Sequence, residues 1–180
     1  MPALPEMRME DRSIPVMALP MWVWALMILL FVAPLVLFIL LTSHPNPLDF
    51  GYKAFVWIFF LILAHESTHA LAWKYAAGLP WSVFTFGVMW KTLTPYCHAT
   101  VPMPIRAYRI GAVTPLLVTG LLPWLLALWA GALDLGFAAT LLISAAAGDL
   151  YILWTLRDVP AEAQVQDHAS QVGCVVLYPA

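Results

Sequence analysis

Met21 to Leu41 is a run of about 21 residues without a charge, long enough at 1.5 Å per residue to cross a hydrocarbon core of roughly 30 Å. It is too long for the core of a signal peptide, and no small-residue cleavage site follows it. Three further apolar runs lie at Ala54–Trp73, Ile110–Gly131 and Leu135–Leu156. Backbone polar groups in lipid must be satisfied within the segment, so each run is predicted to be a helix. Composition agrees: 63% of the 180 residues are hydrophobic and 10% charged, with a mean hydropathy of +0.85. A soluble domain carries about 25% charged residues. These values exclude a water-soluble globular domain and a disordered chain. A formal net charge of −2 with no basic tract excludes a conventional nucleic-acid binder. The prediction is an all-α polytopic membrane protein of about four transmembrane helices. It divides into an N-terminal segment (1–20), a membrane domain (21–156) and a tail (157–180).

Lys and Arg set the orientation. With four spans, one side carries Arg8, Arg12, Lys74, Lys91, Arg106, Arg109 and Arg157, and the other Lys53 alone. This bias places both termini in the cytoplasm. Cys97 and Cys174 then face a reducing compartment and are expected as free thiols. Between spans two and three, Trp81–Val88 and Tyr96–Val101 are β-branched and aromatic with partial alternation. They predict a short β-hairpin around a Lys91–Pro95 turn. The tail ends in a β-prone Val175–Tyr178, and its Asp167-His168 pair reads as solvated. Tryptophans 22, 24, 57, 73, 81, 124, 129 and 154 fall near span ends and read mostly as interface residues. Arg106 and Arg109 read as interface anchors, and Pro34, Pro115 and Pro123 as kinks.

The chemistry sits in the second run. His65-Glu66-Ser67-Thr68-His69 is an H-E-x-x-H motif, and residues i and i+4 share a helical face, so both imidazoles can bind one ion. Zinc suits neutral nitrogen ligands and lowers the pKa of its water to about 7; Glu66, beside the first ligand, can take that water's proton. Ionisable residues at membrane depth cost about 2.5–3.5 kcal/mol each on insertion scales, so three together imply a use. A catalytic zinc needs a third protein ligand and an open position. Asp149, His98, Asp134, Asp158, Asp167 and His168 are the candidates. His65 and His69 lie roughly 17 and 22 Å into span two, and Asp149 roughly 21 Å into span four, which runs the same way. Depth therefore favours Asp149, with His98 able to reach up from the hairpin. The small residues Ser144–Gly148 would let span four approach closely. Asp149 could instead support a ligand imidazole, and Cys97-His98 reads as a free thiol beside a histidine rather than a metal pair.

These residues resemble the site-2 protease class of intramembrane zinc metalloproteases, in which two His and a distant Asp bind zinc and the Glu acts as base. They resemble more closely a family of small bacterial integral-membrane zincin peptidases of unknown function, a resemblance that implies a bacterial inner membrane. The likeness spans about residues 50–178. It rests on the helix His65–Ala70, the aromatic loop Phe84–Cys97, Tyr108-Arg109 ahead of a span with Pro115, Gly148-Asp149, and Gln166-Asp167-His168 with Gly173-Cys174. Asp149 is followed by Leu150 rather than the glycine of the site-2 class, and Ala169 stands where the smaller family has proline.

The favoured expectation is an intramembrane zinc peptidase. His65, His69 and Asp149 hold Zn2+, Glu66 is general base then acid, and the substrate is an unwound transmembrane or membrane-associated segment. The hairpin, through Phe84, Phe86 and His98, is expected to hold that segment by strand addition. The rival is a catalytically inactive membrane scaffold with a structural metal site. A transporter would need a polar path that spans one and three lack, and two imidazoles on one helical face cannot flank a haem iron.

Overall fold

The computed structural model describes residues 8–42, 51–90, 94–168 and 171–179. Four helices are long and apolar enough to cross a membrane: Met21–Leu41, Tyr52–Ala77, Ile105–Ala130 and Leu133–Thr155. The first two are the regular helices α1 (Met21–Leu41) and α2 (Tyr52–Ala77). Gly78 closes α2 in the left-handed conformation that glycine adopts without a Cβ clash, and Lys74 occupies its last turn. The third span starts earlier than the apolar run suggests, because Pro104 stands just before its first turn and Arg106 and Arg109 fall within the helix. It is also irregular: α3 (Ile105–Pro115), a π-helical segment (Leu116–Leu121), then α4 (Leu122–Ala130). The fourth comprises α5 (Leu133–Ala145) and α6 (Ala147–Thr155), separated by a turn at Ala146.

Side-chain exposure follows the solvent expected of a bilayer. Ile28, Leu29, Phe55, Phe59 and Leu122 are exposed, while His65, His69, Thr119 and Thr140 are buried. In water such a contiguous apolar surface would aggregate; against lipid it costs nothing. The bundle core is Phe38, Leu61, Trp124, Leu142 and Ile143. Trp124 and Trp73 are therefore core residues and not interface residues, whereas Trp22, Trp57, Trp81, Trp129 and Trp154 are exposed.

The all-α expectation is corrected by two small sheets. The hairpin forms as β2 (Phe84–Met89) against β3 (Thr94–Ala99), with Phe86 opposite Cys97 and Thr85 opposite His98. Residues 91–93 of its expected turn, Lys91 included, lie outside the described residues, as does Ala169. The second sheet is antiparallel, in the order β1 (Arg8–Asp11), β6 (Cys174–Tyr178), β5 (Gln164–Asp167), β4 (Met103–Pro104). It joins both ends of the chain to the entry of α3. Arg12 fastens it, donating to Glu10 Oε1 (2.9 Å), Asp158 Oδ1 (2.6 Å), the Tyr178 hydroxyl (3.0 Å) and the Thr155 carbonyl. Arg109 donates to the Leu156 and Val159 carbonyls at the end of α6, so it is a clasp rather than a surface anchor. A hydrophobic core of Trp73, Phe84, Met103, Tyr108, Val165, Cys174 and Val176 seals the sheets onto the helix ends.

Candidate metal centre

Both histidines of α2 turn toward α3, and the reason lies in Pro115. A regular helix would give residue 115's N–H to the carbonyl four residues back, but proline has none, so the Gly111 carbonyl is left without its helical donor. His69 Nδ1 donates to that carbonyl at 3.1 Å. In the following π segment, the Thr119 hydroxyl donates to the Pro115 carbonyl at 2.8 Å. With its proton spent there, Thr119 Oγ1 accepts from His65 Nδ1 at 3.2 Å. Both rings thus carry their proton on Nδ1 and present the Nε2 lone pair.

Those lone pairs face Asp149 on α6. His65 Nε2 lies 3.5 Å from Oδ2 and His69 Nε2 3.6 Å from Oδ1. One ligand atom from each of the three residues lies within 4.8 Å of the other two. Two imidazole lone pairs against a carboxylate repel unless a cation lies between them. Ligands at about 2.0–2.1 Å on a tetrahedral ion would be separated by about 3.3–3.4 Å, close to the spacings seen. The donor set of two neutral nitrogens and one carboxylate oxygen, with both imidazoles supported from behind, fits zinc. Both histidines are 7% exposed.

A cavity of about 320 Å³ opens on this group. Glu66 lines it beside the two histidines, its carboxylate facing the Cys97 backbone N–H of β3. Met89 and the stretch from Thr94 to His98 form the hairpin wall, and Asp167 and His168 the tail wall. Phe84 is buried beneath the hairpin against Trp81 and Phe86 is exposed; neither lines the cavity. Among the other candidate ligands, Asp134 sits at the far end of the bundle accepting from the Gly51 N–H (3.0 Å), and Asp158 pairs with Arg12. His98 is paired with Asp167 at 3.2 Å, so Asp167 is not a solvated tail residue. Cys97 and Cys174 are buried and not linked, and burial pushes both thiols up to about 12.

The supporting residues Gly111 and Thr119 carry no motif. The one available signal was Pro115, which releases a carbonyl four residues earlier inside an apolar span.

Fold and site together define a protein with four membrane-length helices and a buried His-His-Asp group that could hold a metal ion. Residues 58–164, more than half of the chain, match the family described as "Putative zincin peptidase", and the chain belongs to that family. No curated protein and no solved structure matches it.

Proposed function

We propose that the protein is an intramembrane zinc metallopeptidase that hydrolyses peptide bonds of transmembrane or membrane-associated proteins. The observation that carries this reading is the convergence of His65 Nε2, His69 Nε2 and Asp149 with Glu66 in one cavity. His69 lies eight residues before the end of α2, about 12 Å from it, which puts the site inside the helical layer near the sheets. The same end carries Arg12, Lys74, Arg106, Arg109 and Arg157, in keeping with both termini on the cytoplasmic face of a bacterial inner membrane.

Zinc held by His65, His69 and Asp149 would supply Lewis acidity toward the scissile carbonyl and the attacking water. Glu66 accepts a proton from water as the water oxygen bonds to the carbonyl carbon. It returns that proton to the leaving nitrogen as the C–N bond breaks, giving a carboxylic acid and an amine. An α-helical peptide bond is hydrogen-bonded and shielded, so the substrate must be locally extended. The β3 edge beside Glu66 is suited to hold such a segment by strand addition.

The test is metal content of the detergent-purified chain by mass spectrometry, with a cleavage screen against single-span membrane proteins. We expect about one zinc per chain, lost in Asp149→Asn and His69→Ala, and retained in an inactive Glu66→Gln. A wild type purified without chelators that holds no zinc, or a Glu66→Gln variant that still cleaves, would overturn the reading in favour of a scaffold.

A further inference from the structure

The cavity has a second polar cluster on the wall opposite the helices. His98 on β3 and Asp167 on β5 both line it, with side chains only 12% and 13% exposed. A carboxylate taken from water is costly unless its oxygens are hydrogen-bonded. Asp167 meets this condition with two partners: its Oδ1 accepts from the Tyr108 hydroxyl at 2.8 Å and its Oδ2 from His98 Nδ1 at 3.2 Å. Among the described residues no Lys or Arg pairs with it. Nδ1 is thereby committed to Asp167, and Nε2 is the ring nitrogen left for the cavity.

The cluster is also registered to the metal group. Tyr108 is 1% exposed and stacks on Trp73 (centroids 5.4 Å, planes 17° apart), and Trp73 stacks on His69 (5.3 Å, 29°). A continuous ladder of His69, Trp73, Tyr108, Asp167 and His98 therefore fixes the distance across the cavity. Peptide hydrolysis builds negative charge on the former carbonyl oxygen, in a space already lined by the carboxylates of Glu66, Asp149 and Asp167. A positioned donor is needed there.

We propose that His98, as the imidazolium paired with the Asp167 carboxylate, is a second catalytic residue, donating a hydrogen bond from Nε2 to the scissile carbonyl oxygen as it gains charge, and that Asp167 is its positioning residue. No proton is transferred: the carbonyl π pair moves onto oxygen when water adds and returns when the amine leaves, and His98 keeps both ring protons throughout, one toward Asp167 and one toward the oxygen. This rests on the peptidase reading above.

The test uses the zinc-loaded full chain in detergent and two probes. A peptide phosphinate, whose tetrahedral anion imitates the hydrated peptide bond, requires both metal and donor; acetohydroxamate requires the metal alone. Removing one such donor costs about 10²–10³-fold in transition-state stabilisation. We expect His98→Gln to bind the phosphinate about 100-fold more weakly, with acetohydroxamate affinity and zinc content unchanged. Asp167→Asn, which keeps an acceptor for Tyr108, should show a smaller loss, and the double variant should be no worse than His98→Gln, as expected of residues acting as a unit. Should His98→Gln fail to fold, His98→Asn and Asp167→Asn carry the comparison. Phosphinate affinity within threefold of wild type, or loss of zinc from His98→Gln, would overturn the proposal. A zinc-loaded wild type that binds neither probe would overturn the peptidase reading, and this inference with it.

Discussion

Thr119→Val tests whether the irregular third span exists to aim a histidine. The His65 ring is buried, and its Nδ1–H has the Thr119 oxygen, 3.2 Å away, as its acceptor. Valine keeps the shape of threonine but accepts nothing. The N–H is then left unsatisfied at a cost of about 1–3 kcal/mol, or the ring reorients and withdraws Nε2 from Asp149. One to three kcal/mol is about 5- to 150-fold in an equilibrium constant, and losing a group that supports a ligand imidazole typically costs 10–100-fold in metal affinity. We therefore expect zinc affinity, measured by competition with a chromophoric chelator in detergent, to fall 10–100-fold in Thr119→Val. Thr119→Ser, which restores the hydroxyl, should stay within about threefold of wild type. Thermal melting of the metal-free forms separates this from general loosening. If Thr119→Val binds zinc as tightly as wild type, the argument that Thr119 sets the His65 ring is refuted.

Three other outcomes follow from the same geometry. Pro115→Ala restores an N–H that competes with His69 for the Gly111 carbonyl, so zinc affinity should fall about 3- to 10-fold, a share of one hydrogen bond, even as the helix regularises; an unchanged affinity would refute the link. Burial holds the Cys97 and Cys174 thiols at about 12, so in the folded protein at pH 8 both should react with iodoacetamide on the order of 10³-fold more slowly than an ordinary thiol, and the rate should keep rising through pH 10 where a free thiol has levelled off. Hydrogen bonds from Arg12 hold the Glu10 and Asp158 carboxyls below the usual carboxylate range, so the folded form binds fewer protons than the unfolded one; the stability they confer is present above about pH 4.5 and lost as pH falls through their lowered folded values. Melting temperatures from pH 6 to pH 3 should show that loss, and Arg12→Ala should flatten it.

Much of the site is legible in the amino-acid order because membrane depth converts sequence distance into height. Counting at 1.5 Å per residue brings Asp149 level with the histidine pair, and in the structure its carboxylate lies 3.5 and 3.6 Å from their Nε2 atoms. The hairpin is legible too, since β-branched and aromatic residues alternate on both sides of a turn. The four-stranded sheet is not. Its strands are two to five residues long, and β4 and β5 are about 60 residues apart, so no local pattern announces the pairing. That gap hides Asp167, which in isolation is a polar tail residue and in the fold is a cavity wall. Tryptophan is similarly opaque: Trp73 stands at a span end like Trp129, and only packing against His69 and Tyr108 separates a core ring from an exposed one. Pro115 is visible as an interruption, but its effect falls on a carbonyl four residues upstream and a side chain of another helix.

The position of β5 and β6 in the chain separates the metal ligands from their enclosure. All four membrane-length helices precede them, and α2 and α6 between them carry the whole His-His-Asp group. Without β6 slotted between β1 and β5, the fold would have its cation ligands but lack the anchor that Asp167 gives His98. Ligands and enclosure are thus built from separate stretches of the chain, so a change confined to the strands acts on the cavity wall and not on the groups that hold the ion.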